Sequence, residues 1–136
     1  MSSATAFAAI HDYLTAGWSN TPLVFENEIF DLPAVPTPWV MVEVYGDSDE
    51  QISLGAGSAA ANRWREEGAV LCHVMVPQGT GTLTARIHAE GLADLLRGVE
   101  LAGDVKFRRM SIGAGTAGTE DGTYWVVTLR AEWTRG

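Results

Sequence analysis

Three glycines near the carboxyl end of the chain have the spacing of a nucleotide-binding loop. Gly113, Gly115 and Gly118 lie in the stretch RRMSIGAGTAGTEDGTYWVVTL and match the pattern G-x-G-x-x-G. That pattern binds a pyrophosphate when a helix follows it, because the amide groups at the helix N-terminus face the phosphate. Here the following residues alternate between apolar and polar, which predicts a strand. The sequence therefore favours a glycine-rich hairpin loop, with Asp121 and Gly122 as a turn, over a cofactor site.

The histidines and the single cysteine lack the spacing of a metal site or an activated nucleophile. His11 and His88 fall in segments with helical periodicity, and His73 falls in a predicted strand. No two of them have the H-x-x-x-H spacing of a zinc site. Cys72 and His73 are adjacent on a strand and project to opposite faces, so neither can activate the other. We expect no metal, no cofactor and no catalytic residue, which points away from an enzyme.

Two acidic clusters are the remaining candidates for acid–base or metal chemistry. One comprises Asp47, Asp49 and Glu50, and the other comprises Glu120 and Asp121. General acid–base catalysis needs a desolvated carboxyl group with a raised pKa. Both clusters fall in stretches rich in glycine and polar residues, where water keeps carboxylates ionised. Solvated loop charge is therefore favoured over catalysis, and divalent-ion binding between subunits by the first cluster is the weaker alternative.

Basic residues occur in two short groups within an acidic chain. Nine basic and 17 acidic residues give a net charge of -8, which argues against wrapping nucleic acid. For Arg108 and Arg109, solvation or pairing with another subunit is accordingly favoured over a nucleic-acid patch. Trp64, between Arg63 and Arg65, has the composition of an interface anchor. A tryptophan that covers the core at a strand end is an equally good interpretation.

Hydrophobic periodicity predicts the elements that hold these residues. Two helices are indicated by apolar stripes, one of Phe7, Ile10, Leu14 and Trp18 and one of Leu83, Ile87, Leu92, Leu95, Leu96 and Val99. Strands are predicted in PLVFEN, PWVMVEVYG, WREEGAVLCHVMVP, DVKFRRMSI and TYWVVTLRAEW, the third of these in the centre of the sheet. Residues 47–62 between two of the strands are predicted to be a long loop.

This order of elements indicates an α+β fold. We expect a mixed, mostly antiparallel sheet with two helices packed on one face and long inter-strand loops. The 136 residues are typical of one domain, which is assigned to residues 1–136. The start of the chain lacks the features of a signal peptide, and no run of about 18 apolar residues predicts a membrane span.

Prolines and glycines at particular places connect this pattern to a known family. TPLVFENEIFDLPAVPTPWVMVEV, followed by VMVPQGTG and a helix, resembles the small tail-terminator and tail-completion proteins of long-tailed phages and gene transfer agents. The resemblance extends over nearly the whole chain and involves structural residues. They are Pro22, Asn27, Phe30, Pro33, Pro38, Trp39, Val40, Pro77, Gly79, Thr80 and Gly81.

The resemblance implies a structural role in assembly. Proteins of this family form a ring, usually a hexamer, that caps the growing tail tube and ends its polymerisation. The ring also joins the tube to the head-side connector, and DNA passes through its lumen without specific binding. The expected partners are thus other copies of the chain, the tail-tube protein and the connector, with no membrane. The expected location is the head–tail junction of a phage-like particle that is assembled in the host cytoplasm.

Within such a ring, the two polar loops are the candidates for contacts. Residues 47–62 and 113–121 would reach neighbouring subunits or the tube, and the acidic cluster at residues 47–50 would repel DNA if it faces the lumen. Two alternatives stay open. One is a small oligomeric adaptor of another injection machine. The other, ranked lower, is a small-ligand binder or enzyme, for which no converging polar cluster can be named.

Overall fold

The computed structural model of the chain describes residues 2–113, 115–117 and 122–136. Its elements are α1 (Ala4–Gly17), β1 (Leu23–Phe25), β2 (Trp39–Gln51), β3 (Trp64–Pro77), α2 (Leu83–Leu96), β4 (Glu100–Leu101), β5 (Val105–Ile112), β6 (Thr116–Ala117) and β7 (Tyr124–Arg135). A short 3-10 helix, Ala59–Ala61, lies between β2 and β3.

The strands form one sheet in the order β1-β2-β3-β7-β5-β4, and β6 also pairs with β7. β1 runs parallel to β2, whereas the remaining pairs are antiparallel. β3 lies in the middle, paired with β2 on one side and with β7 on the other. The predicted α+β fold with a mixed, mostly antiparallel sheet is confirmed, as is the central position of β3.

Both helices cover the same face of the sheet, as predicted. The Ser3 hydroxyl caps α1 by accepting a hydrogen bond from the Ala6 amide at 3.2 Å. The apolar sides of α1 and α2 then meet alternate residues of β2, β3 and β7 in one core. Its fully buried members include Ile10, Leu14, Leu92, Leu96, Val42, Cys72, Leu129 and Trp133. We call this the helix-covered face, and the opposite side the open face.

The predicted apolar stripe of α2 is wrong at its amino-terminal end. Leu83 and Ile87 are 72% and 57% exposed, while Ala85 and Ala89 are fully buried. Small side chains let the first turns of the helix lie close to the sheet, which rotates the larger ones outward. Leu92 and Leu96 are buried as predicted. The close approach of α2 to the sheet thus determines which side of the helix is buried, and the size of its apolar side chains does not.

The predicted loop at residues 47–62 is shorter in the structure. β2 continues to Gln51 and β3 begins at Trp64, with a register shift between Gly46 and Ser48. The connection is therefore residues 52–63, and Asp47, Asp49 and Glu50 lie in β2. Both faces of this outer part of the hairpin carry polar or exposed side chains. Without a buried face, a strand has no apolar alternation that could predict it.

A glycine lets the largest core side chain lie against the strand next to it. Gly68 of β3 pairs with Trp133 of β7, and Trp133 is fully buried. A Cβ atom on Gly68 would lie 2.1 Å from the carbonyl oxygen of Tyr45 and 2.7 Å from Cζ2 of Trp133. Neither the backbone of β2 nor the packed indole has room to move aside.

Gly68→Ala is therefore expected to lower the free energy of unfolding by about 1–3 kcal/mol through overpacking. The matched control is Gly113→Ala, because the nearest atom to a Cβ there is the Thr128 carbonyl oxygen at 4.0 Å. That variant should stay within about 0.5 kcal/mol of wild type. Urea unfolding followed by tryptophan fluorescence measures both. Equal stability of the two variants would contradict the packing described for Trp133.

A buried carboxylate joins the start of the chain to the last strand. Glu66 is 3% exposed. Its Oε2 accepts a hydrogen bond from the Ser3 amide at 3.0 Å, and its Oε1 accepts one from Nη1 of Arg135 at 2.7 Å. Burial alone would raise the pKa of Glu66, but the hydrogen bonds from Ser3 and Arg135 and the guanidinium charge outweigh it and lower the pKa. Glu66 is thus ionised and structural, a role that the sequence did not predict.

Glu66→Gln is expected to lower the free energy of unfolding at pH 7 by about 2 kcal/mol, because Arg135 loses its charged partner. Since the folded pKa is depressed, this stabilisation is fully present above the unfolded pKa of about 4.3. It is lost as the pH falls through the lower folded pKa. Urea unfolding between about pH 7 and pH 3 should therefore show the gap between wild type and variant closing in acid. The exposed Glu50→Gln is the control, and a gap independent of pH would refute the assignment.

Candidate functional site

The glycine motif lies where β5 turns back toward β7. The Gly113 amide donates to the Thr128 carbonyl at 3.1 Å, and β6 follows directly. Gly115 has φ of +95°, and a Cβ there would lie 2.6 Å from Nε1 of Trp125. Tight backbone packing therefore explains Gly115. Strand β7 follows the glycines as predicted, whereas β6 lies within the predicted loop. Gly118, Glu120 and Asp121 lie outside the described residues.

The three histidines are held separately by their own neighbours. His11 contacts Asp12 at 3.2 Å and Glu28 at 3.4 Å. His73 lies on the open face, with Nε2 3.0 Å from Glu43 and Nδ1 2.8 Å from Thr128. His88 meets the edge of the Trp18 ring on the other side of the molecule. Within the residues that the structure describes, no three His, Cys, Asp or Glu side chains are grouped to hold a metal ion.

The acidic residues of β2 do not form one surface. Asp49 pairs with Glu66, and the next residue, Glu50, pairs with Arg65. Neighbouring residues of a strand point to opposite faces, so Asp49 and Glu50 are divided between the two sides of the hairpin. Asp47 lies at the register shift. The structure thus brings Glu50 beside Arg65, but it separates the carboxylates that the sequence grouped together.

The end of the hairpin exposes apolar side chains and two arginines. We define the hairpin tip as residues 52–65. Leu54 is 89% exposed, Ile52 38% and Trp64 40%. The Trp64 Nε1 donates to the Ala59 carbonyl at 3.0 Å, which fixes the indole against the connection and not in the core. The indole therefore does not cover the core, and its role as an interface anchor stays a prediction.

The basic residues of β5 lie beside acids of the same chain. Arg108 lies on the open face, 3.5 Å from Glu67 and 3.9 Å from Glu132. Arg130 of β7 is 3.8 Å from the same Glu132. Arg109 is exposed. A row of mixed charges across β3, β7 and β5 results on the open face.

An apolar groove runs along the start of β2, on the open face, under the proline-rich segment. Its volume is about 660 Å³. The ring of Phe30 lies 4.8 Å from that of Trp39, which fastens the segment to the sheet. The apolar lining includes Phe25, Phe30, Leu32, Trp39, Met41 and Met75. Sequence reasoning missed this groove, although apolar residues among prolines that prevent strand pairing were a signal for it.

Three carboxylates line the groove, and each has a structural partner. Glu26 accepts a hydrogen bond from the Val44 amide at 2.7 Å, and Glu28 accepts one from the Phe25 amide at 2.9 Å. Glu43 contacts His73. The volume is in the range of small-ligand sites. Two of these carboxylates, however, hold backbone amides and the third holds a histidine, so they do not converge on one point. The groove is an apolar surface with an acidic rim.

Comparison with known protein families identifies the type of protein that carries these surfaces. The model of the family described as "Phage tail terminator protein" matches residues 5–133. The chain belongs to the phage tail terminator family. A solved structure has the same fold, with a TM-score of 0.67 and 20% sequence identity, covering 98% of this chain and 92% of the other. Comparison with curated proteins gives no match.

Membership in the tail terminator family indicates a structural component of a phage tail, which associates with other tail components. The resemblance inferred from prolines and glycines is confirmed by this match. The groove and the hairpin tip both expose apolar side chains. None of the described helices is both long enough and apolar enough to cross a membrane.

The thiol of this tail terminator is expected to be unreactive in the folded protein. Cys72 is fully buried on the helix-covered face, and burial raises its pKa to about 12. Ellman's reagent should therefore modify Cys72 only after unfolding. Leu54→Cys, which places a second thiol on the exposed tip, should react within the mixing time. Rapid modification of Cys72 in the native wild type would contradict the packing of β3.

Proposed function

We propose that the chain forms a homohexameric ring that caps the tail tube, ends its polymerisation and joins the tube to the head-side connector. The observation that carries this proposal is the match of the tail terminator family model to residues 5–133. A closed ring needs two different surfaces on each subunit. The hairpin tip and the apolar groove supply surfaces that differ in shape and in charge.

The proposal includes the place and the partners of the ring. The ring, whose subunits are each one domain of residues 1–136, lies at the head–tail junction of a phage or gene transfer agent and assembles in the host cytoplasm. Its partners are the tail-tube protein, the connector and other copies of the chain. DNA passes through the lumen without specific binding. The net charge of -8 and the mixed charges of the open face support this last point, because neither attracts phosphates.

Tube growth tests the capping function directly. Tail-tube protein from the same particle is allowed to polymerise with and without the chain, and tube lengths are measured by electron microscopy. We expect the chain to bind tube ends and stop further growth, so that added tube protein no longer lengthens capped tubes. The control is the same amount of heat-unfolded chain. Tubes that keep growing with every end occupied would refute capping.

The rate of DNA transfer tests whether the acidic residues of β2 face the lumen of the ring. Exchanging Asp47 and Asp49 for Asn and Glu50 for Gln removes three negative charges per subunit. If these carboxylates face the lumen, DNA transfer should slow by about tenfold or more while rings still form, because repulsion no longer keeps phosphates off the wall. Since Asp49 and Glu50 point to opposite faces, the single variants should differ from each other. Unchanged DNA transfer in the triple variant would show that these residues do not face the lumen.

A further inference from the structure

The two apolar exposures of the sheet have complementary charges. Residues 52–65 of the hairpin tip contain two charged side chains, both arginines, Arg63 and Arg65. The groove is lined by three glutamates and no basic residue. Among the described residues, neither arginine has an ion-pair partner. Residues 52–65 therefore form a positive apolar projection, with Glu50 opposite Arg65 at its base. The groove is a negative apolar depression.

The two surfaces are too far apart to meet within one molecule. The groove lies at the Met41 end of β2, and the tip begins just beyond Gln51 of the same strand. The ten residue-to-residue steps from Met41 to Gln51 span about 33 Å of extended backbone. Because β2 is paired with β3 along this whole stretch, it cannot fold back. A tip can therefore enter only the groove of another molecule.

We propose that the hairpin tip of one copy binds in the apolar groove of the next copy. Leu54 and Trp64 enter the groove over Leu32 and Met41, while Arg63 and Arg65 face the glutamates on its rim. A second copy is the occupant because the chain itself carries both complementary surfaces. This inference names the subunit contact of the proposed ring and rests on that proposal.

The contact has a direction. The tip of each copy faces the groove of its neighbour, so every copy in the middle of an assembly uses both surfaces once. A chain with a damaged tip can still receive a tip, and a chain with a damaged groove can still offer one. One chain of each kind can therefore form a single tip-to-groove contact, and no further chain can be added to the resulting dimer. A contact between two identical surfaces would not behave in this way.

Three exposed leucines allow a matched experiment with one type of substitution. Leu54→Asp damages the tip, Leu32→Asp damages the groove, and Leu83→Asp changes α2, which is outside the contact. These leucines are 89%, 53% and 72% exposed, so each variant should fold, as circular dichroism will verify. The self-association of each variant and of wild type is measured by sedimentation equilibrium up to about 1 mM.

We expect Leu54→Asp and Leu32→Asp each to weaken self-association by about tenfold or more, and Leu83→Asp to leave it unchanged. An equimolar mixture of the first two should form a 1:1 dimer, twice the 14.6 kDa of one chain, and nothing larger. A wild type that stays monomeric throughout, a mixture without dimers, or an equal loss in Leu83→Asp would overturn the contact.

A disulfide provides a second measurement that does not depend on weakening the contact. Leu54→Cys and Leu32→Cys are carried by separate chains, mixed and oxidised, with Leu54→Cys and Leu83→Cys as the matched control pair. Buried Cys72 does not compete. The first pair should form the mixed disulfide about tenfold faster than the control, in line with a higher effective concentration. Equal rates would count against the contact.

The tube-growth assay separates this inference from the proposed function. If wild type caps tubes and both Asp variants cap equally well, the function holds and the tip-to-groove contact is wrong. If wild type does not cap tubes but the two variants complement each other, the contact holds and the capping function is wrong.

Discussion

The structure depends on the pairing of β3 along its length with β2 on one side and β7 on the other. The inner part of β3 lies under both helices and contributes buried residues such as Val70 and Val74. Its outer part extends past the helices and carries the hairpin tip. Because the two parts are one strand, packing in the core fixes the position of a surface far from the core.

Two contacts hold the junction between these parts. On the helix-covered face, Trp133 lies against Gly68, where any side chain would collide with it. Two residues from Gly68 along β3, toward the hairpin tip, Glu66 joins Ser3 to Arg135. The first contact is apolar and independent of pH, and the second is ionic. Together they tie both ends of the described chain to β3 at the place where the hairpin leaves the core.

The sequence predicted correctly those elements that have one buried face and one exposed face. In β7 the alternation of Val127, Leu129 and Ala131 with polar residues matches the structure, because one side packs under helices and the other does not. The same reasoning failed in α2, where Leu83 looked like a core residue but close approach required alanines inward. It failed again for the outer part of β2, where neither face is buried and a paired strand therefore looks like a loop.

The candidate surfaces were only partly predictable for the same physical reason. Trp64 could be singled out because a tryptophan between two arginines is unusual at any position. The groove could not, since it forms where residues 26–38 lie over β2, and residues distant in sequence define its shape. The grouping of three carboxylates at residues 47–50 assumed a flexible loop. In a strand, alternation decides which side each one occupies.

A tip carried by paired strands has a consequence for assembly that a flexible loop would not have. Paired backbone has already lost most of its conformational freedom, so binding by the tip costs less entropy than binding by a disordered segment. It also presents its side chains at one angle to the core. A ring closes only if every contact between copies repeats the same rotation. In the proposed ring, the extension of β2 to Gln51 would thus make a directional contact between copies compatible with closure.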